Sequence, residues 1–253
     1  MLNGLDFLFA GLAAVAAGAV NALAGGGTLI TFPVLMALGL PPITANVTNT
    51  VALCPGYLGA TLAQSNDLRG QAGRMRSALP AAIIGGLLGG LLLLHTGDRL
   101  FRELVPFLIL ASSCLLAVQE PLRARILRHA GQAGAGRELL AVLPIGLAAV
   151  YGGYFGAGLS VIVLAVLGLC INDTLTRLNA LKQAVALATN IAAAGLFVFS
   201  GHVEWPATLV MAAGAIVGGA IGGRLAGRVR PATLRRIVVA FGLACAVIYF
   251  LRG

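Results

Sequence analysis

The sequence predicts an all-α polytopic membrane protein, with about 8–10 membrane segments in two inverted-topology repeats that contain broken or re-entrant helices. Three observations predict it. Hydrophobic residues make up 59% of the chain and charged residues only 10%, against roughly 25% charged in soluble domains, and the mean hydropathy is +0.97. Glycine clusters, drawn from 35 glycines, interrupt the apolar runs. The two halves of the chain also repeat one another at a nearly fixed offset.

Apolar segments fall at 7–24, 28–40, 45–64, 77–95, 104–119, 139–155, 158–170, 178–200, 206–223 and 236–251. Several approach the roughly 20 residues that a spanning helix needs. The first follows Met1-Leu2-Asn3-Gly4-Leu5-Asp6, which lacks the positive n-region of a signal peptide, and reads as a transmembrane element. Segments 28–40 and 158–170 extend only roughly 20 Å at helical rise, short of a hydrocarbon core about 30 Å thick. They are predicted to be partial helices. Gly25-Gly26-Gly27 precedes one, and Gly152-Gly153-Tyr154-Phe155-Gly156-Ala157-Gly158 precedes the other. A glycine inside a helix costs on the order of 1 kcal/mol, so both stretches are predicted breaks. A turn then follows each partial helix, at 39–44 and at 168–174. Pro41-Pro42 starts a new helix in the first half, with Thr44 read as its N-cap.

The repeat is explicit. At an offset of 133, Gly85-Gly86-Leu87-Leu88-Gly89-Gly90 matches Gly218-Gly219-Ala220-Ile221-Gly222-Gly223. The same offset sets Asn46 on Asn179 and Asn49 on Lys182. Upstream it falls to about 129–131, because the second half has extra residues between Cys170 and Arg177. The chain therefore divides into a first membrane repeat at 1–120, a cytoplasmic linker at 121–138 and a second, inverted membrane repeat at 139–253.

Charge sets the orientation. Arg69/Arg74/Arg76, Arg123/Arg125/Arg128/Arg137 and Arg224/Arg228/Arg230/Arg235/Arg236 mark cytoplasmic loops, whereas the loop 200–206 has no Lys or Arg and reads as external. Parity then places both termini outside, in the periplasm, and inverts the second repeat. The net charge of +9 belongs to these loop clusters. No basic stripe carries interleaved aromatics, so nucleic acid is not an expected partner. Cys54, Cys114, Cys170 and Cys245 are scattered singly, as are His95, His129 and His202. They imply no metal site and no disulfide framework, and no cofactor is expected.

The polar residues within the apolar runs gather at two kinds of place. Beside the glycine breaks stand Asn21, Gly26, Gly27 and Thr28 in one half, and Gly158 and Ser160 in the other. On the helix starts stand Asn46, Thr48 and Asn49, matched by Asn179, Lys182 and Gln183. Lys182 is the only lysine in the chain, against 16 arginines. A cation in a membrane segment is expensive and marks function by default, although a lysine near a helix end also snorkels to headgroups. A helix start offers free N–H groups and positive potential. With amides, hydroxyls and one ammonium added, it suits an oxyanion. The expected site has the two starts facing each other across a pseudo-two-fold axis and sharing one anion. All eight acids lie at segment ends or in loops, so no mid-helix carboxylate is available as a proton relay.

The run Gly18-Ala19-Val20-Asn21-Ala22-Leu23-Ala24-Gly25-Gly26-Gly27-Thr28-Leu29-Ile30-Thr31-Phe32-Pro33-Val34-Leu35, followed by Gly39-Leu40-Pro41-Pro42 and Ala45-Asn46, resembles the TauE/SafE sulfite exporter family, also called the toluene sulfonate uptake permease family. The second half departs from that pattern, since Tyr151–Ser160 lacks three consecutive glycines and carries Asn-Ala-Leu-Lys downstream. The resemblance implies transport of sulfite or an organosulfonate across a bacterial inner membrane. The expected partners are thus a small anionic substrate and the lipid bilayer; the sequence assigns no oligomeric state. The alternatives are an uncoupled anion channel or facilitator, or an intramembrane enzyme at Gly158-Leu159-Ser160. The enzyme reading lacks a mid-membrane histidine to activate the serine, so the chain reads as a non-enzyme.

Overall fold

The computed structural model describes residues 2–23, 25–129, 137–225 and 231–252. Among these residues the chain is helical and has no strand. The elements are α1 (Gly4–Leu23), α2 (Thr28–Ala37), α3 (Pro42–Ala63), α4 (Ala72–Thr96), α5 (Asp98–Ala117), α6 (Gln119–His129), α7 (Val142–Tyr154), α8 (Leu159–Cys170), α9 (Leu175–Val198), α10 (Trp205–Leu225) and α11 (Pro231–Arg252). Single 3₁₀ turns lie at Ser65–Leu68 and Arg137–Ala141. Six of the helices, α1, α4, α5, α9, α10 and α11, are long and apolar enough to cross a membrane.

Both glycine stretches break the helix, as expected. Gly25 and Gly26 take φ of 79° and 93° between α1 and α2, and Gly156 and Gly158 take 82° between α7 and α8. Side chains rarely adopt this region, so only glycine supplies the turn without strain. The resulting partial helices α2 and α8 have 10 and 12 residues.

Two sequence expectations need correction, and the structure adds detail to a third. Thr44 is not the N-cap of α3: the helix begins at Pro42, where a missing N–H costs nothing. The next donor, Ile43 N, reaches Asp98 Oδ1 at 3.1 Å. The second turn begins at Ile171 and not at Gly168, because α8 stays helical through Cys170. The expected linker is partly helical, since α6 occupies its first residues; 130–136 lie outside the described residues.

The Gly-Gly-x-x-Gly-Gly motifs determine how the halves pack. α10 runs parallel to α1, with Gly214, Gly218 and Gly222 against Gly11, Val15 and Ala19. α4 runs parallel to α7, with Gly85 and Gly89 against the backbone of Gly146 and Val150. A Cβ on Gly218 would overlap the Val15 carbonyl oxygen, and one on Gly85 would overlap that of Gly146. It is the same contact made twice, with the halves exchanged. Small residues are the usual device for this approach, because lipid gives no hydrophobic drive between helices.

Two further pairs run antiparallel. Asn179, near the start of α9, bonds Gln64 at the end of α3, while Glu204, beyond the end of α9, bonds Thr48 near the start of α3. Phe107, Ser113 and Glu120 of α5 or just past its end meet Phe250, Gly242 and Arg235 of α11. Edge-to-face contacts among Phe32, Phe101, Tyr154 and Phe155 fill the core. Leu8, Leu12, Leu92 and Phe199 point outward, as helices solvated by acyl chains allow.

Gly85→Val and Gly218→Val are expected to destabilise the protein by similar amounts, about 1–3 kcal/mol each from overpacking. Gly219→Ala, whose added Cβ meets nothing within 4 Å, is expected to be neutral or stabilising by about 0.5–1 kcal/mol. Thermal unfolding in detergent checks all three.

Candidate functional site

Non-helical backbone at membrane depth must be satisfied by the protein itself. Each break is tied by a side chain from the helix before it. Asn21 Oδ1 accepts from Gly27 N at 2.8 Å, six residues on. Tyr151 Oη donates to the Ala157 carbonyl at 2.6 Å, also six residues on, and Ser112 of α5 reaches the same carbonyl at 3.0 Å. The breaks also meet: Gly25 lies against Ser160, with 3.8 Å between an added Cβ and that of Ser160. Leu116 and Leu115 of α5 pack on Gly26 and Gly158. Asn21, Gly26, Gly27, Gly158 and Ser160 are therefore brought together around one stretch of α5.

The start of α3 forms a second group. Thr31 donates to Asn49 Oδ1, and Asn49 Nδ2 lies 3.5 Å from Thr28 Oγ1, so α2 and α3 are bridged by a buried amide. Asn46, fully buried, donates through Nδ2 to the Tyr154 carbonyl at 2.9 Å. Thr48 is buried but points elsewhere, accepting from Glu204 N at 3.0 Å.

The start of α9 forms a third group. Lys182 is 7% exposed and donates to Asn179 Oδ1 at 2.6 Å. Asn179 Nδ2 in turn donates to Gln64 Oε1 at 3.0 Å, and Gln183 is buried beside them in sequence. Toward the helix end, Asp173 accepts from Arg74 and, at 3.0 Å, from Arg177 Nε. Arg177 Nη1 donates to the Arg69 carbonyl at 3.1 Å, so three arginines gather at this end. Burial pushes the Asp173 carboxyl up, but hydrogen bonds from Arg74, Arg177 and its neighbour's amide outweigh this and hold it below its usual range.

The two helix starts do not face each other, contrary to expectation. From Asn46 to Gln64, the partner of Asn179, α3 rises roughly 27 Å. Because α3 and α9 run antiparallel, the repeat puts equivalent residues at opposite ends of the pair. Asn46 and Asn49 therefore do not share a ligand with Asn179 and Lys182. A cavity of about 580 Å³ is a separate crevice walled by Met36, Leu40, Phe107, Tyr249 and Phe250, with Arg102 and Glu103 also in its lining. Its lining is mostly apolar but includes the charged side chains of Arg102 and Glu103, and none of the expected site residues lines it.

Sequence reasoning missed Thr31, Ser112, Gln64 and Tyr151. For Tyr151 a signal was present: at the upstream offset of 130 it is the counterpart of Asn21. Among the described residues no cluster of His, Cys, Asp and Glu could hold a metal ion.

Apolar spanning helices, two breaks buried in protein and polar helix starts define a polytopic membrane transporter. A profile of the family described as "Sulfite exporter TauE/SafE" matches residues 10–249, and the chain belongs to that family. It is similar to a "Probable membrane transporter protein" of Haemophilus influenzae, 28% identical over 91% of this chain and 89% of that one. It is also similar to the "Probable membrane transporter protein YfcA" of Escherichia coli K12, 28% identical over 84% and 77%. A third relative, "Probable membrane transporter protein ORF9" of a Sinorhizobium species, is 29% identical over 96% and 91%. No solved structure matches.

A carboxylate held below its ordinary value, about 3.9, stabilises the fold above that pH and loses its contribution as pH falls through the lowered value. Asp173→Asn is therefore expected to cost about 1 kcal/mol at neutral pH, the pairs being partly solvated. The gap between variant and parent should close below about pH 4. Thermal unfolding between neutral and acid pH checks this.

Proposed function

We propose that the protein is a secondary transporter of the bacterial inner membrane that carries a small sulfur-containing oxyanion, of the sulfite or organosulfonate class, by alternating access. The single observation that carries this reading is Lys182. The only lysine of the chain is buried, bonded to a neutral amide, and stands at a helix start beneath Arg69, Arg74 and Arg177. Lys182, Asn179 and Gln183 bind the anion with the α9 start, and Gln64 orients Asn179. The arginines draw anions toward it, as clustered charge does at a low-dielectric mouth. The family's description as sulfite exporters agrees with this substrate class.

Reciprocal packing supports the inverted repeats of this reading, 1–120 and 139–253 joined by 121–138. In an inverted repeat, equivalent helices from the two halves run antiparallel, as α3 does to α9 and α5 to α11. The breaks that meet at Gly25 and Ser160 are where one repeat tilts on the other. The arginine-rich end of α9 faces the cytoplasm and both termini the periplasm.

Purified protein is expected to bind labelled toluenesulfonate, taurine or sulfite saturably. Lys182→Ala should weaken that binding roughly 10–100-fold, the loss of one charge-assisted hydrogen bond, while Lys182→Arg should restore part of it. Unchanged affinity in Lys182→Ala sinks the site. Saturable exchange in proteoliposomes marks a carrier, whereas an unsaturable current would identify a channel.

A further inference from the structure

The two helix starts differ in how one side-chain acceptor is satisfied. Asn46 and Asn179 are counterparts at the offset of 133. In the second half the side-chain oxygen of Asn179 receives the ammonium of Lys182 at 2.6 Å. In the first half the residue in the place of Lys182 is Asn49, whose amide is engaged by Thr31 and Thr28. Asn46 Oδ1 is left buried, with no donor reaching it among the described residues. A buried acceptor without a partner costs about 1–3 kcal/mol, and such groups in a native structure call for an explanation.

The amide orientation is fixed. Asn46 Nδ2 donates to the Tyr154 carbonyl at 2.9 Å; the reverse orientation would set two carbonyl oxygens against each other. Oδ1 is therefore the unpartnered end. Its surroundings favour positive charge. Tyr154 is the last residue of α7, so the carbonyl end of a broken helix lies beside Asn46. Such half-helix ends carry negative potential and are the kind of place where transporters coordinate cations. At the start of α3 the Ile43 amide is already taken by the carboxylate of Asp98, which disfavours an anion there.

We propose that Asn46 Oδ1, with carbonyl oxygens at the end of α7, binds a monovalent metal cation, sodium, which does in the first half what the tethered ammonium of Lys182 does in the second. The chemistry selects the class. Amide and backbone oxygens are hard, neutral ligands. No carboxylate bonds Asn46, so a divalent ion would be poorly compensated, and an amide does not take up a proton at any relevant pH. The equivalence of the two asparagines rests on the repeat, and thus on the transporter reading above, but the cation site is testable without any anion.

The experiment measures equilibrium binding of ²²Na⁺ to the purified protein in detergent, with choline chloride holding ionic strength constant and no sulfonate present. The expected result is saturable binding displaced by unlabelled NaCl. Asn46→Ala should weaken it roughly tenfold or more, in line with the loss of a metal-site ligand contact. Asn46→Asp should tighten it. Asn49→Lys, which supplies a tethered ammonium, should abolish it and remove any difference in Tm between NaCl and choline chloride. No saturable ²²Na⁺ binding by the parent protein would overturn the proposal. So would binding that is unchanged in both Asn46→Ala and Asn49→Lys. If Asn46→Ala does not fold, Asn46→Asp decides: tighter binding supports the site, and unchanged affinity overturns it. Loss of sulfonate binding in Lys182→Ala is read separately, so either site can fail alone.

Discussion

Everything in this fold depends on how two interruptions of the helical backbone are satisfied away from water. Lipid offers no hydrogen bonds, so each break needs a polar partner that the protein provides. Asn21 supplies an acceptor to the Gly27 amide, whereas Tyr151 and Ser112 supply donors to the Ala157 carbonyl. Ser112 belongs to α5, which is therefore pinned behind both breaks, with Leu115 and Leu116 filling the glycine surfaces. The position of α5 in turn seats α11, because Gly242 lies on Ser113. One constraint thus propagates from four left-handed glycines to the outermost antiparallel pair.

The halves interlock; they do not sit side by side. The tightest backbone approaches, Gly218 on Val15 and Gly89 on Val150, each join one helix from each half. Side chains at those positions would separate the backbones and remove the close van der Waals contact that holds membrane helices together. A glycine interface is also comparatively smooth, since the side chains that meet its glycines, such as Ala14 and Ala149, are small. In the proposed mechanism, that smoothness lets α1 and α7 shift against α10 and α4 without unlocking knobs from holes.

Much of this was legible in the sequence, for physical reasons that also set its limit. Clustered glycines disfavour helix, so Gly25–Gly27 and the glycines of 152–158 announced the breaks. The offset of 133 between the Gly-Gly-x-x-Gly-Gly motifs anticipated contacts that recur with the halves exchanged. An offset states equivalence and not proximity, however. It matched Asn49 with Lys182, and the antiparallel course of α3 and α9 then placed them at opposite ends. Tyr151 escaped because it serves the same purpose as Asn21 through different chemistry, a donor to a carbonyl in place of an acceptor for an amide. Thr44 misled because the N-cap preference for hydroxyls is weaker than the fit of Pro42 to the first helical position.

In the proposed repeat, the backbone corresponds between the halves and the charge does not. The start of α3 is held by a carboxylate, Asp98, and two amides, while the start of α9 is held by Thr174 and surrounded by Arg74, Arg177 and Lys182. A duplicated scaffold with identical ends would present the same potential to both sides of the membrane. The exchange of Asn49 for Lys182 adds to the difference already set by Asp98 at one end and Arg74 and Arg177 at the other. In the proposed reading the α9 end receives an anion because its ammonium is built in, and the α3 end receives a cation because its ammonium is missing. On that proposal, a repeat rocking about the junction of Gly25 and Ser160 would expose one kind of site as it closes the other, and so would link the movements of two oppositely charged solutes through geometry, without a mid-membrane carboxylate to relay a proton.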